Sequence, residues 1–234
     1  MRKYSVILFD IDDTLLDFPK SEREAFFKAL SLSGVIADED MMETYQKINY
    51  DLWKALERQE IERDELKVRR FSELASLYSL NVDAERVACD YLACLGQTVF
   101  FIDGARELLN ALYGKVKMYI VTNGVASVQN SRYKLTGFDK IFDGIFISEE
   151  VGANKPNLRF FEYVAEHVDE FEKERALIVG DSLTSDIAGG IAFGIDTCWY
   201  SPKDNEGKHI PTYTVDTLAK ILPIVLAEDA DERA

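Results

Sequence analysis

The sequence predicts an α/β fold, a parallel sheet with helices on both faces and a small helical domain inserted after the first strand. Three observations carry this expectation. Short apolar runs alternate with helical patterns from Val116 to Tyr200, the pattern of strand–helix–strand units feeding one parallel sheet. The run Tyr4–Phe9 is continuously apolar and ends in polar residues, as a strand covered on both faces does. Between these, from Ser21 to about Gln97, helical spacing persists without a strong strand. The core is therefore placed at residues 1–18 and 99–234, and the helical insert at residues 19–98.

Each element has a local reason. Asp10 stands at the end of the first strand, and Asp17-Phe18-Pro19 reads as a turn leading out of the core. Ser21 with Glu24 has capping-box spacing and opens a helix through Ala25, Phe26, Ala29 and Leu30. Asp38 can cap a second helix carrying Met41, Tyr45, Ile48, Leu52 and Leu56. Leu66, Phe71, Leu74 and Leu77 mark a third helix, and Val87, Ala88, Tyr91, Leu92 and Leu95 a fourth. Phe100–Asp103 re-enters the core, and Asp103 is a good cap for the amphipathic helix Ala105–Leu112. Strands then fall at Val116–Thr122, Gly144–Ser148, Ala176–Gly180 and Ile195–Tyr200. Helices alternate with them at Gln129–Leu135, Leu158–Val168 and Thr184–Phe193. Asp216 is expected to cap a last helix that Pro223 kinks, and the acidic tail from Glu228 to fray.

Composition narrows the function. With 234 residues, 47% of them hydrophobic, the chain can bury a large core and a smaller insert. A net charge of -15 disfavours a nucleic-acid polymer as partner, since phosphate backbones call for clustered Lys and Arg. A small phosphorylated substrate stays open, because one cation can reverse the field in a single cleft. Apolar runs such as Ile221–Ala227 fall short of the roughly 18 residues of a membrane helix, so no membrane partner is expected. Met1-Arg2-Lys3 runs into a strand without a secretory pattern, and Cys89, Cys94 and Cys198 fit neither a disulfide set nor a zinc site. A cytoplasmic location follows as the expectation. His167 and His209 are isolated from any Ser or Cys nucleophile motif, which speaks against a hydrolase triad.

The chemistry sits at strand ends. Asp10 and Asp12 follow the first strand, Thr122-Asn123-Gly124 ends the second, Lys155-Pro156 follows the third, and Gly180-Asp181 with Asp186 ends the fourth. A parallel sheet gathers all of these on one edge, where ligands of open α/β sheets bind. Four carboxylates, Asp10, Asp12, Asp181 and Asp186, then share a cleft with one lysine. Like charges at close range raise one another's pKa, and a hard cation such as Mg²⁺, with oxygen ligands and substrate phosphate, relieves the conflict. Asp10 can then attack phosphorus as a nucleophile, Asp12 can act as general acid and then base, and Lys155 can stabilise the transferring group.

Asp10-Ile11-Asp12-Asp13-Thr14-Leu15, Thr122, Lys155-Pro156 and Gly180-Asp181 with Asp186 resemble, in order and spacing, the four motifs of the haloacid dehalogenase (HAD) superfamily. The resemblance implies a Rossmann-like core with a C1-type helical cap. It implies Asp10 as nucleophile, Asp12 as acid/base, Thr122 on the phosphoryl oxygens and Lys155 as charge balance. Mg²⁺ would lie on Asp10, the Asp12 carbonyl and Asp181, with Asp186 in or beside its shell. Tyr45-Gln46, Asn49, Leu52-Trp53, Thr122-Asn123-Gly124, Ser148-Glu149-Glu150-Val151-Gly152 and Lys155-Pro156-Asn157 are similar to the YjjG/YfnB-type nucleotidase branch, which implies a (deoxy)nucleoside 5′-monophosphate as substrate.

Each assignment has a plainer alternative. An Asp at a strand end can be only a cap or turn former, and Thr122 can be only a buried hydroxyl. Asn123 fits phosphate contact or loop support equally, and Asp13 fits a turn. Asn49 and Trp53, one helical turn apart, are candidate substrate contacts or members of the insert's own core. Gly189, Gly190 and Gly194 suit close helix packing and a helix end. A sugar-phosphate phosphatase or phosphomutase shares the same motifs. A 2-haloacid dehalogenase has no use for an acid/base at Asp12, and a non-catalytic binding protein has no use for the full set.

Overall fold

The computed structural model describes residues 3–201 and 209–227. The tail from Glu228 onward, expected to fray, lies outside them. In chain order the strands are β1 (Val6–Phe9), β2 (Lys117–Thr122), β3 (Gly144–Ile147), β4 (Ala176–Gly180), β5 (Asp196–Tyr200) and β6 (Tyr213–Val215). The helices are α1 (Phe18–Leu32), α2 (Glu39–Glu57), α3 (Arg63–Leu77), α4 (Ala84–Gly96), α5 (Ala105–Leu112), α6 (Ala126–Leu135), α7 (Ser148–Val151), α8 (Leu158–His167), α9 (Ala188–Phe193) and α10 (Ile221–Leu226). The chain divides into two compact units, Met1–Phe18 with Phe100–Ala234, and Pro19–Val99. No helix among the described residues is long and apolar enough to cross a membrane.

The first unit is a six-stranded sheet in the order β3-β2-β1-β4-β5-β6, every neighbouring pair parallel. β1 is central, and Val6–Phe9 are all buried, which is why that run carries no polar alternation. The side chains of Val6, Leu8, Tyr119, Val121, Ala176 and Ile178 project from one face and pack with Phe160, Phe161 and Val164 of α8, as the two-residue strand period requires. On β1 the intervening residue Phe9 packs edge-to-face on Phe142, ring centroids 6.0 Å apart. Because β1 and β4 are adjacent and in register, the residues that follow them share one edge.

The second unit packs four helices around Phe26, Tyr45, Phe71 and Tyr91, with Tyr45 stacked on Phe71 at 5.2 Å and Phe71 5.3 Å from Tyr91. A smaller cluster joins Leu52, Leu56 and Leu66, with Trp53 packed against it. Asp38 caps α2 through Met41 N, as expected.

Several boundaries differ from the sequence expectation. α1 begins at Phe18 rather than at Ser21. Pro19 is tolerated in a first helical turn, where its missing N–H has no intrahelical acceptor. Asp13, with positive φ, accepts the first of those N–H groups, from Phe18 at 3.2 Å. Gly104, not Asp103, starts α5, with φ of 83°. The strand β6 had no sequence signal: it has three residues and adds to the free edge of β5. Asp216 pairs with Lys220 at 2.8 Å and leaves the cap position of the following turn to Thr217.

Candidate active site

Asp10 leaves β1 with its N–H bonded to Val179 O at 2.9 Å, so the sheet ladder itself aims the residue. Its Oδ1 accepts from Lys155 Nζ at 2.7 Å, and its Oδ2 accepts from Thr14 Oγ1 at 3.4 Å. Lys155 is 1% exposed. Its ammonium also donates to Asp186 Oδ1 at 2.6 Å and to Val121 O at 2.7 Å. Three donors meet three acceptors, which is all an ammonium can offer.

Asp186 lies on a π-helical turn, Leu183–Ile187, ahead of α9. Such turns re-aim side chains at functional sites. Its Oδ2 accepts from Ser182 N at 3.2 Å. Gly180 makes room for it, since a Cβ there would sit 2.3 Å from Asp186 Oδ2. Asp181 is held at its carbonyl by Trp199 Nε1, 2.8 Å away.

One carboxylate oxygen from each of Asp10, Asp181 and Asp186 falls within 4.8 Å of the others. Burial pushes the Asp10 carboxyl up to about 8, reinforced by Asp186 and Asp12 and opposed by Lys155. Burial also raises Asp181 well above the usual carboxylate range, with Asp10 and Asp186 adding to it. Burial alone would lower Lys155, but Asp10 and Asp186 outweigh it and hold the ammonium charged. Acids thus outnumber the base in a buried site. Hard oxygen donors in such a trio fit a divalent cation of the magnesium type.

Asp12 does not join that trio. Its Oδ2 accepts from Gln129 Nε2 at 2.6 Å and its Oδ1 from Arg132 Nη1 at 2.5 Å. What Asp12 could give a cation is its main-chain carbonyl. Thr122 is buried at the end of β2, and its Oγ1 accepts from Gly124 N at 3.0 Å and Gln129 Nε2 at 3.2 Å. Asn123 ties the end of β2 to the Lys155 loop. It accepts from Lys155 N and donates to Lys155 O, both at 2.8 Å, so in this structure the side chain supports the Lys155 loop. Asn49 and Trp53 are described within the helical unit. Asn49 donates to Glu22 Oε1 at 2.8 Å and accepts from Arg70 at 3.1 Å. Trp53 packs on the Leu52–Leu56–Leu66 cluster with the Arg63 guanidinium 5.7 Å from its ring.

Gln129 and Arg132 carry no signal in the sequence, because an arginine on a helix is ordinarily solvated. The available hint is their spacing: i and i+3 put them on one helix face.

Comparison with known proteins bears on the whole chain. The chain is 38% identical to the HAD-hydrolase YfnB of Bacillus subtilis over 231 residues, 98% of each chain. It is 37% identical to the pyrimidine 5′-nucleotidase PynA of Streptococcus pneumoniae, over 94% of each chain. It is 35% identical to the pyrimidine 5′-nucleotidase YjjG of Escherichia coli, over 94% of this chain and 96% of that one. A crystal structure of YfnB, bound to magnesium, superposes with a TM-score of 0.90 over 96% of this chain and 99% of that one. Residues 4–194 match the family of haloacid dehalogenase-like hydrolases, a span that holds Asp10, Asp12, Asp181, Asp186 and the buried Lys155, and the chain belongs to that family.

Proposed function

We propose that this hydrolase is a divalent-cation-dependent phosphatase of nucleoside 5′-monophosphates, with pyrimidine nucleotides the first class to test. The carrying observation is the buried set Asp10, Lys155 and Asp186 at one sheet edge, with half-buried Asp181 beside it and Asp12 two residues beyond Asp10. The names borne by PynA and YjjG support the nucleotide.

In this reading an Asp10 carboxylate oxygen forms a bond to phosphorus while the bond to the ester oxygen breaks. The departing oxygen takes a proton from Asp12. Water then attacks the aspartyl-phosphate, Asp12 takes its proton, and the Asp10–phosphorus bond breaks to release phosphate. Thr122 offers its hydroxyl to a phosphoryl oxygen, and Lys155 balances charge on the transferring group. A cation of the Mg²⁺ type, held by Asp10, Asp181 and the Asp12 carbonyl beside Asp186, would supply further neutralisation of phosphoryl charge. Residues 19–98 are assigned to substrate selection, with Asn49 and Trp53 as the residues to vary first.

The test is phosphate release from UMP, dUMP, dTMP, purine monophosphates and sugar phosphates with Mg²⁺. Preference for a nucleotide supports the reading. A sugar phosphate hydrolysed fastest replaces the substrate class, and isomerised sugar phosphate without free phosphate replaces the reaction with a mutase. Release no greater than that of Asp10→Asn with every compound sinks it.

A further inference from the structure

We infer that Arg132, with Gln129 beside it, is a positioning residue that sets the Asp12 carboxylate for proton transfer, acting through Asp12 rather than on the phosphoryl group. This rests on the assignment of Asp12 as acid and base.

The observations begin with α6. Its buried residues are Val128, Gln129 and Arg132, so the inward face of this helix is largely polar. Arg132 is fully buried. Taking a guanidinium out of water costs several kcal/mol unless its geometry and partners are good. An apolar residue of similar length would carry no such penalty. Yet among the described residues Arg132 Nε and Nη2 have no partner, and neither has Gln129 Oε1. Stability therefore does not account for the pair.

What the two side chains share is one carboxylate. Arg132 holds Asp12 Oδ1 and Gln129 holds Asp12 Oδ2, and donors on both oxygens fix the carboxylate plane. Gln129 also reaches Thr122 Oγ1 at 3.2 Å, tying the proton-transfer residue to the residue proposed for the phosphoryl oxygens. Space for Gln129 is kept by Gly124, where a Cβ would fall 2.1 Å from Gln129 Nε2. The Asp12 side chain is 26% exposed, so without these donors it can rotate toward solvent. A catalytic group displaced by about 1 Å can lose of the order of 100-fold in rate.

The test compares leaving groups. An alkyl phosphate such as UMP needs its leaving oxygen protonated, whereas p-nitrophenyl phosphate expels a weakly basic phenolate and needs little help. For Arg132→Met, kcat/KM on UMP is expected to fall about 10- to 100-fold with KM within about 2-fold, and on p-nitrophenyl phosphate less than about 3-fold. Arg132→Lys, which keeps the positive charge and N–H donors on a shorter, more compact head, is expected to lie between. Asp12→Asn is expected to show the same substrate pattern more strongly, and Arg132→Met is expected to add nothing in that background.

The ratio of the two kcat/KM values on one preparation does not depend on the fraction of folded enzyme. If Arg132→Met fails to accumulate, the ratio for Arg132→Lys decides. Equal losses on both substrates, or a further loss in the Asp12→Asn background, overturn the inference and leave Arg132 a structural or phosphate-binding residue. Full turnover of UMP by Asp12→Asn instead overturns the acid/base assignment beneath it.

Discussion

The sheet of the first unit carries a charged cluster at each end, and the two are built differently. At the carboxyl ends of the strands, one ammonium, Lys155, faces Asp10 and Asp186, with Asp181 alongside. At the amino ends, one carboxylate, Asp196, faces many donors. It pairs with Lys3 at 3.2 Å, accepts from the Tyr4 hydroxyl, and accepts from Thr212 Oγ1 at 3.3 Å. The consequences are opposite in sign. Asp10 and Asp181 are pushed up by burial and by each other. Burial would push Asp196 up too, but the Tyr4 and Lys3 hydrogen bonds win and hold it below its ordinary value. An acid whose partners are complete serves the architecture. A set of acids with too few partners is complementary to something that arrives, a cation and a phosphoryl group.

The strongest way to break this contrast is to neutralise one acid at each end and measure turnover. Asp10→Asn is expected to lower phosphate release by at least about 10³-fold, since an amide cannot form the acyl phosphate. Asp196→Asn is expected to stay within about twofold of the parent. Comparable losses at the two ends would remove the functional distinction.

Next in size is the removal of the ammonium at the crowded end. Lys155→Met leaves Asp10 and Asp186 buried without their ammonium, and is expected to cost about 3–5 kcal/mol of stability in urea unfolding without divalent cation. Added Mg²⁺ should return part of it. A loss under about 1 kcal/mol would mean that water already reaches these carboxylates.

The divalent cation itself gives a third, smaller effect. Mg²⁺ at 100 times its dissociation constant should stabilise the parent by about 2.7 kcal/mol, read as a rise in melting temperature. Asp181→Asn should abolish that rise and, by removing an acid that Asp10 and Asp186 repel, raise the stability of the cation-free protein by about 1 kcal/mol. A variant that loses stability without cation yet keeps the Mg²⁺ response would place the cation elsewhere.

The same contrast explains which parts of the molecule were legible in the sequence. Asp10, Thr122 and Asp181 stand where apolar strands stop, with Lys155 and Asp186 a few residues beyond such ends, and parallel pairing of β1 with β2 and β4 converts that one-dimensional position into proximity. Strand β6 was silent because Tyr213–Val215 offers three residues and only one of them is buried. The start of α1 was misplaced because Pro19 reads as a breaker, whereas a first turn accepts it. Asn123 was ambiguous because an amide beside a strand end serves a ligand or a loop equally well. Its two bonds to the Lys155 main chain are a tertiary fact. Gln129 and Arg132 were invisible for the same reason. Helical spacing shows that they share a face, but only the packed structure shows that the face looks inward at Asp12.

The smallest effect tests the quiet end by its pH dependence. Asp196 is ionised and well bonded in the fold, with a folded pKa below its unfolded value. Its contribution to stability is therefore present above the unfolded value, near 4, and is lost as pH falls through the folded one. Its side chain is 34% exposed, so solvent screening limits the contribution to about 1 kcal/mol. Asp196→Asn should cost that much in urea unfolding at pH 7, and the gap to the parent should close as pH falls below about 4. The Tyr4 hydroxyl can still donate to an Asn carbonyl oxygen, whereas Lys3 loses its counter-charge, so closure of the gap isolates the ionic part. A gap that persists unchanged at pH 3 would mean that shape and hydrogen bonding, rather than charge, hold the amino end of the sheet, and the sign difference between the two clusters would then rest on the acidic end alone.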